Sequence, residues 1–141
     1  MIKIRKARRR DLDQIYTIER LCFREASFSR RAVLYHILNN LVICAEINDF
    51  VVGYMCFSPL TKTKKRRIYS IAVNPSQRKK GIARALMAAA EKKTKARHIY
   101  LEVDETNVSA IKLYESFGYT VFGRYENYYG ETAALRMKKL I

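Results

Sequence analysis

Acidic residues are scarce in this chain. Of its 141 residues, 13 are Asp or Glu and 28 are Lys or Arg, which sets a formal net charge of +15 and a pI near 10.0. Tryptophan is absent. The three cysteines, Cys22, Cys44 and Cys56, are odd in number and show no metal-ligand spacing. Each sits in an apolar context, which is the pattern of buried, reduced thiols in a cytoplasmic protein, and no metal site is expected. No apolar run approaches the ~20 residues of a membrane span, so no membrane partner is expected. Residues 1–10 alternate apolar and basic side chains without an apolar h-region, which argues against a signal peptide. There is no internal repeat, low-complexity tract or linker. A length of 141 residues suits one domain, 1–141, with a sizeable core. Hydrophobic residues at 49% and charged residues at 29% fit a globular chain rather than a disordered one.

The excess of cations has three readings: an anionic cofactor, a partner rich in nucleic acid such as the ribosome, or an acidic substrate. Residues 3–10 and 62–67 are basic clusters, and a third lies at 77–80. The plain reading of 62–67 is a solvated loop between strands. No specific DNA binding is expected.

Hydrophobic periodicity orders the chain as β-α-α-β-β-β-α-β-α-β-β. Strands are expected at 3–6, 41–47, 50–58, 67–73, 98–103, 119–125 and 133–139. Asn48-Asp49 is a hairpin turn. Asp11 can cap a helix from residue 12, with Gln14 in the capping-box position and Leu12, Ile15, Ile18 and Cys22 as its apolar stripe. Ser29 can cap a second helix with Val33, Leu34, Ile37 and Leu38 inward. A third helix follows Gly81, with Ile82, Ala85, Leu86 and Ala89 on one face. Asn107 can cap a fourth, with Ala110, Leu113, Tyr114 and Phe117 inward and Gly118 ending it. The class is α/β, a mixed sheet that is parallel where helices join strands.

The densest signal lies at 71–90. An apolar run, Ile71-Ala72-Val73, ends at Asn74-Pro75. The basic turn Arg78-Lys79-Lys80-Gly81-Ile82-Ala83 then opens a helix. Such a turn aims backbone N–H groups at one point and attracts an anion, above all a pyrophosphate. Gly81 and Ala83 leave room for close approach. No acid occurs between Asn74 and Ala90, and the nucleoside-triphosphate and dinucleotide fingerprints are both missing. Packing of the helix against its sheet also explains such a turn, but the preceding strand, the concentrated cations and the absence of acids tilt the balance toward an anion site. Further on, Glu102 shares a strand face with Tyr100, opposite Ile99, Leu101 and Val103. It is either a solvent-facing glutamate or a partly desolvated general base. Tyr114 is either a core tyrosine or a proton donor, and Asn107 a helix cap or a ligand contact. The Tyr128-Tyr129 segment, within 124–131, is either a binding lip or a plain tyrosine-rich loop.

Together these segments resemble the GNAT acetyltransferase superfamily, and most closely its RimI-type and archaeal protein N-terminal acetyltransferases. The signature Gln/Arg-x-x-Gly-x-Gly/Ala is met by Arg78, Gly81 and Ala83. Leu101-Glu102-Val103 with Asn107, Leu113-Tyr114-Glu115-Ser116-Phe117-Gly118-Tyr119, Asn127-Tyr128-Tyr129 and Ala134-Leu135-Arg136-Met137 follow in the family order. The resemblance implies a single GNAT domain of about seven strands flanked by about four helices. It implies acetyl transfer from acetyl-CoA to the N-terminal α-amine of a protein by direct attack on the thioester, with CoA as product. Ile71, Ala72, Val73, Arg78, Lys79, Lys80, Gly81, Ile82, Ala83, Asn107 and Tyr114 are then cofactor contacts, with pantetheine between strands that splay near Val73 and Glu102. Glu102 is the base acting through water, and Tyr114 the acid. Phe23, Glu25, Tyr128 and Tyr129 flank the acceptor, which on this reading includes ribosomal proteins or the ribosome. Asp104 stands where RimI-type chains usually carry a basic residue, and Glu105 adds a second acid, a pair suited to a cationic peptide or to capping. The alternatives are acetylation of a lysine side chain or a small amine, and a non-catalytic basic module that binds ribosomes or RNA.

Overall fold

The computed structural model describes residues 1–141. Its elements run β1 (Lys3–Lys6), α1 (Leu12–Phe23), α2 (Arg30–Leu38), β2 (Val42–Ile47), β3 (Phe50–Phe57), β4 (Lys65–Val73), α3 (Ile82–Lys93), β5 (His98–Asp104), α4 (Val108–Ser116), β6 (Thr120–Tyr129) and β7 (Thr132–Leu140). This is the expected order, and the strands form one 7-stranded sheet, β1-β2-β3-β4-β5-β7-β6. Strand direction departs from expectation. β4 and β5, joined by α3, do pair in parallel, from Lys65 beside His98 to Ile68 beside Leu101. β1 and β2, although joined by helices, pair antiparallel. Two successive helices reverse the chain once more than one helix does. β6 does not reach β5 at all, because β7 turns back from β6 and pairs with β5 in its place.

The chain divides into two compact units, Met1–Phe57 with Ser70–Thr94 and Ser58–Tyr69 with Lys95–Ile141. In the first, the core gathers Leu12, Ile15 and Ile18 of α1, Val33 and Ile37 of α2, and Val42, Cys44, Val51, Tyr54 and Cys56 of β2 and β3. Asn48 and Asp49 both take positive φ, as the tight hairpin between β2 and β3 requires. Leu38 was expected to face inward but is exposed, one step beyond the stripe that Val33 and Ile37 define. Ser29 caps α2 by accepting from Ala32 N at 3.1 Å. Asp11 and Gln14 do not form the expected capping box. The buried Asp11 carboxylate takes two bonds from Arg5, at 2.7 and 2.8 Å, and one from Arg8 N at 2.7 Å. Gln14 Oε1 instead accepts from Val51 N at 2.8 Å. A guanidinium fork offers a carboxylate two charge-assisted bonds, which outcompetes a helix cap.

The second unit buries Ile68, Ile99, Leu101, Val103, Tyr114, Tyr119, Ala133, Ala134 and Met137. Along β5, buried and half-buried residues alternate as the sequence pattern requires. Asn107 caps α4 through Ala110 N at 3.2 Å, and Gly118, at φ +92°, ends it. The lip expected within 124–131 is mostly strand. β6 continues to Tyr129, helped by the β propensity of its tyrosines, and a bulge falls between Tyr125 and Tyr129 with Asn127 at positive φ. The basic run 62–67 is likewise a loop only at its start, since Lys65, Arg66 and Arg67 lie in β4.

Candidate active site

In the first unit, β4 ends at Val73 and a short turn leads to Gly81, which stands at φ +79° at the head of α3. Lys79 is also in the left-handed region, so the chain curls twice before the helix begins. Gly81 brings no capping side chain to α3, a helix of 12 residues, and a Cβ built there would meet nothing within 4 Å. The turn is therefore open, uncapped by a side chain and free of acids in its first helical turn. Those features fit an anionic group of pyrophosphate chemistry held by main-chain N–H donors. The Ile82 side chain is buried, so only its backbone faces this role. Lys80 Nζ rests on Gln77 Oε1 at 2.8 Å, and the Arg78 guanidinium lies 3.6 Å from Cys22 Sγ. That thiol in turn donates to Val73 O at 3.5 Å, so the end of α1 and the end of β4 are tied beside the turn.

Phe23 packs partly buried against the core, and Glu25 is exposed on a short turn, Arg24–Ala26. Glu19, which the pattern did not single out, anchors this segment. Its buried carboxylate accepts from Phe28 N at 2.9 Å and from the Tyr54 hydroxyl. Burial pushes the Glu19 carboxyl above the usual carboxylate range, against the two hydrogen bonds that favour the anion. Burial also pushes the Cys44 thiol up to about 11 and the Cys56 thiol to about 12. Both stay protonated at neutral pH and serve as core residues.

In the second unit, the Glu102 side chain is only 5% exposed. That excludes the solvent-facing alternative. Its Oε1 lies 2.5 Å from Arg67 Nη2, and its Oε2 accepts from Arg136 Nε at 3.3 Å. Neither arginine was anticipated. Glu102 and Arg136 face each other across β5 and β7, a register that one sequence does not reveal. Arg67 also donates to the Tyr128 hydroxyl at 3.1 Å and lies over the Tyr69 ring at 5.2 Å. Burial lowers the pKa of Arg67, but Glu102 and Tyr128 outweigh it and hold the guanidinium above its ordinary value. Arg136 lies over Phe122 and Tyr125, 4.6 and 5.0 Å from their ring centres. A buried carboxylate requires such partners, because an unpaired charge in this setting is costly.

Tyr114 is the buried residue of α4, tilted against Tyr119 at 6.2 Å between ring centres. Burial, reinforced by Tyr129, raises its hydroxyl well above the ordinary range, so it is a neutral donor at physiological pH. Burial also lifts Tyr129, to about 12. The pair Asp104 and Glu105 is engaged within the fold. Asp104 accepts from Thr106 N at 2.9 Å and from the Thr106 and Thr132 hydroxyls, each at 2.8 Å. Glu105 forms a two-bond pair with Arg124, both at 3.0 Å. The side chains expected in the site thus fall into two sets. The turn at 78–83, Phe23 and Glu25 belong to the first unit, and Glu102, Asn107, Tyr114, Tyr128 and Tyr129 to the second.

A sheet of this order, with an uncapped basic turn after its fourth strand and a buried glutamate on its fifth, is compatible with an acyltransferase of the acetyl-CoA class. The chain belongs to the acetyltransferase (GNAT) family, whose model matches residues 12–119. It is an acetyl-CoA-dependent N-acetyltransferase. It is 36% identical to an N-alpha-acetyltransferase of Sulfurisphaera tokodaii, over 94% of this chain and 90% of that one. Its structure resembles the ribosomal-protein-S18-alanine N-acetyltransferase of Escherichia coli with a TM-score of 0.84 and 25% identity, covering 100% of this chain and 94% of that one. It also resembles Arabidopsis thaliana Naa50 in complex with the bisubstrate analogue CoA-Ac-MVNAL, with a TM-score of 0.83 and 21% identity, covering 99% of each chain. No helix is long and apolar enough to cross a membrane.

Proposed function

We propose that the chain acetylates the α-amine at the N-terminus of a protein or peptide, and that residues 1–141 form one catalytic domain acting in the cytoplasm. The observation that carries this reading is the Glu102 carboxylate, buried between Arg67 and Arg136 and joined through Arg67 to Tyr128. An α-amine has a pKa of about 8 and is largely protonated at neutral pH. A positioned carboxylate that accepts its proton through water restores the nucleophile, and such help is worth about 10²–10⁴ in rate. Acetyl-CoA supplies an activated acetyl thioester. From the protonated amine, one proton would pass through water to Glu102; the freed nitrogen would bond to the carbonyl carbon and shed its second proton to water as the C–S bond breaks, and the Tyr114 hydroxyl would give its proton to the sulfur and be reprotonated from water.

The remaining roles follow on the same reading. Main-chain N–H groups of 78–83 hold the pyrophosphate, with Arg78, Lys79 and Lys80 around it, and Ile71, Ala72 and Val73 run beside the pantetheine arm. The Asn107 oxygen is used by the α4 cap, so its contact with that arm comes from the amide nitrogen. Phe23, Glu25, Tyr128 and Tyr129 flank the acceptor. The named substrate of the E. coli relative supports a ribosomal protein as acceptor. Cationic specificity from Asp104 and Glu105 is not part of the reading, because both are engaged within the fold.

Glu102→Gln tests the base. Turnover should fall about 10²-fold, most strongly at low pH where the amine is protonated. A rate equal to the parent's across the pH range contradicts the role.

A further inference from the structure

In the second unit the proposed base and a tyrosine proposed to flank the acceptor belong to one closed ring of side chains. Glu102 Oε1 meets Arg67 Nη2 at 2.5 Å, and the same nitrogen donates to the Tyr128 hydroxyl at 3.1 Å. Tyr128 stacks on Tyr125, with 5.8 Å between ring centres and 22° between planes. The Arg136 guanidinium lies over Tyr125 at 5.0 Å, and its Nε returns to Glu102 Oε2 at 3.3 Å. Each oxygen of the carboxylate therefore starts one arm, and both arms end on Tyr128.

Tyr128 depends on such support. It lies on β6, the edge strand of the sheet, between the paired positions Tyr125–Ala134 and Tyr129–Thr132, where the register shifts. Asn127, just before it, takes positive φ. A bulge frees its residues from the ladder and re-aims their side chains. Tyr128 is also 45% exposed, so packing holds it only in part. The arm through Arg67 is the stronger of the two. It consists of an ion pair and a charge-assisted hydrogen bond, whereas the arm through Arg136 has the longer bond and passes through two ring contacts. The Arg67 guanidinium is itself held, since it also lies over the Tyr69 ring at 5.2 Å. A guanidinium donates and does not accept, so the Tyr128 oxygen is the acceptor and its place beside Arg67 is defined.

We infer that Arg67 is a positioning residue for the acceptor. It fixes Tyr128 relative to the Glu102 carboxylate, so that the base and the ring beside the incoming amine keep one geometry. The inference rests on the proposed function, in which Tyr128 flanks the acceptor and Glu102 takes its proton. Arg67 acts through Tyr128, so its loss falls on the acceptor and spares the donor.

A double-mutant cycle in steady-state kinetics tests this, with peptides of free and blocked N-terminus as acceptors. Arg67→Gln should raise the peptide KM about fivefold, with kcat changing by less and the KM for acetyl-CoA within about twofold of the parent. Tyr128→Phe keeps the stacked ring and removes the hydroxyl that Arg67 holds. In that background Arg67→Gln should raise the peptide KM by less than about twofold. Arg67→Lys keeps a cation beside Glu102 and replaces the planar fork with a point charge, which leaves the claim readable if the Gln variant fails to fold. It should raise the peptide KM about threefold, again only while the Tyr128 hydroxyl is present. An unchanged peptide KM, or an equal rise in the Tyr128→Phe background, overturns the inference. So does a fall in kcat alone, which marks Arg67 as a support of the fold. The cycle is read on whichever amine the parent acetylates. A lysine acceptor would therefore refute the proposed function and leave the coupling of Arg67 to Tyr128 measurable.

Discussion

Tyr114 and Glu102 divide the two proton transfers of the proposed reaction between environments of opposite character. Tyr114 is buried, and burial reinforced by Tyr129 keeps its hydroxyl neutral, whereas Glu102 is paired with Arg67 and Arg136, which offset its charge. Tyr114→Phe removes one hydroxyl and keeps the ring packed on Tyr119. It should lower kcat about 10²-fold while CoA affinity changes by less than about twofold, since a donor to the leaving group acts in the transition state. Steady-state kinetics with CoA calorimetry checks this, and an unaltered kcat removes Tyr114 from the mechanism. Both residues stood out in the sequence with two readings each, and only the family resemblance implied a proton-transfer role for them. The arginines around Glu102 did not stand out, because cross-strand partners depend on register and β7 reaches β5 only by bypassing the helix-joined neighbour β6. Glu19 escaped notice for a related reason. It sits one position beyond Ile18 in the apolar stripe, and only the fold shows Phe28 N and Tyr54 converging on it.

At the scale of elements, the turn between β4 and α3 was the most readable part of the chain. Its chemistry is local: a positive-φ glycine, an uncapped helix head and no nearby acid. Gly81→Val places its side chain in open space, so its cost to the fold is limited to the left-handed backbone, about 1–2 kcal/mol. CoA affinity should fall by a larger factor, because a side chain there blocks approach to the main chain. Thermal melting and calorimetry on the same variant separate the two effects, and unchanged CoA affinity contradicts a pyrophosphate seat at this turn. The β6–β7 hairpin was the least readable element. Its tyrosines satisfy loop and strand patterns alike, and the bulge that reconciles the two at Asn127 has no sequence signature.

The whole molecule carries a charge of +15, and some of its few acids pin structure. Asp11 illustrates this, with Arg5 first among the causes that hold its carboxyl below the ordinary value. A depressed folded-state pKa contributes stability above the unfolded value of 3.8 that is lost as pH falls through the folded one. Asp11→Asn should therefore cost about 2–3 kcal/mol at neutral pH, somewhat less than a fully buried pair. The difference from the parent should shrink as pH drops below the carboxylate range. Urea unfolding from neutral to acid pH measures it, and a constant difference means that packing rather than charge is responsible.

The central claim concerns the acceptor, and it is tested most directly by acetyl transfer from labelled acetyl-CoA to paired peptides. The pairs share their sequences, including internal lysines, and differ only in a free or blocked N-terminus. The account predicts labelling of the free-amine peptides at the α-nitrogen and none of their blocked partners. Lysine labelling in the blocked set at a comparable rate would contradict it.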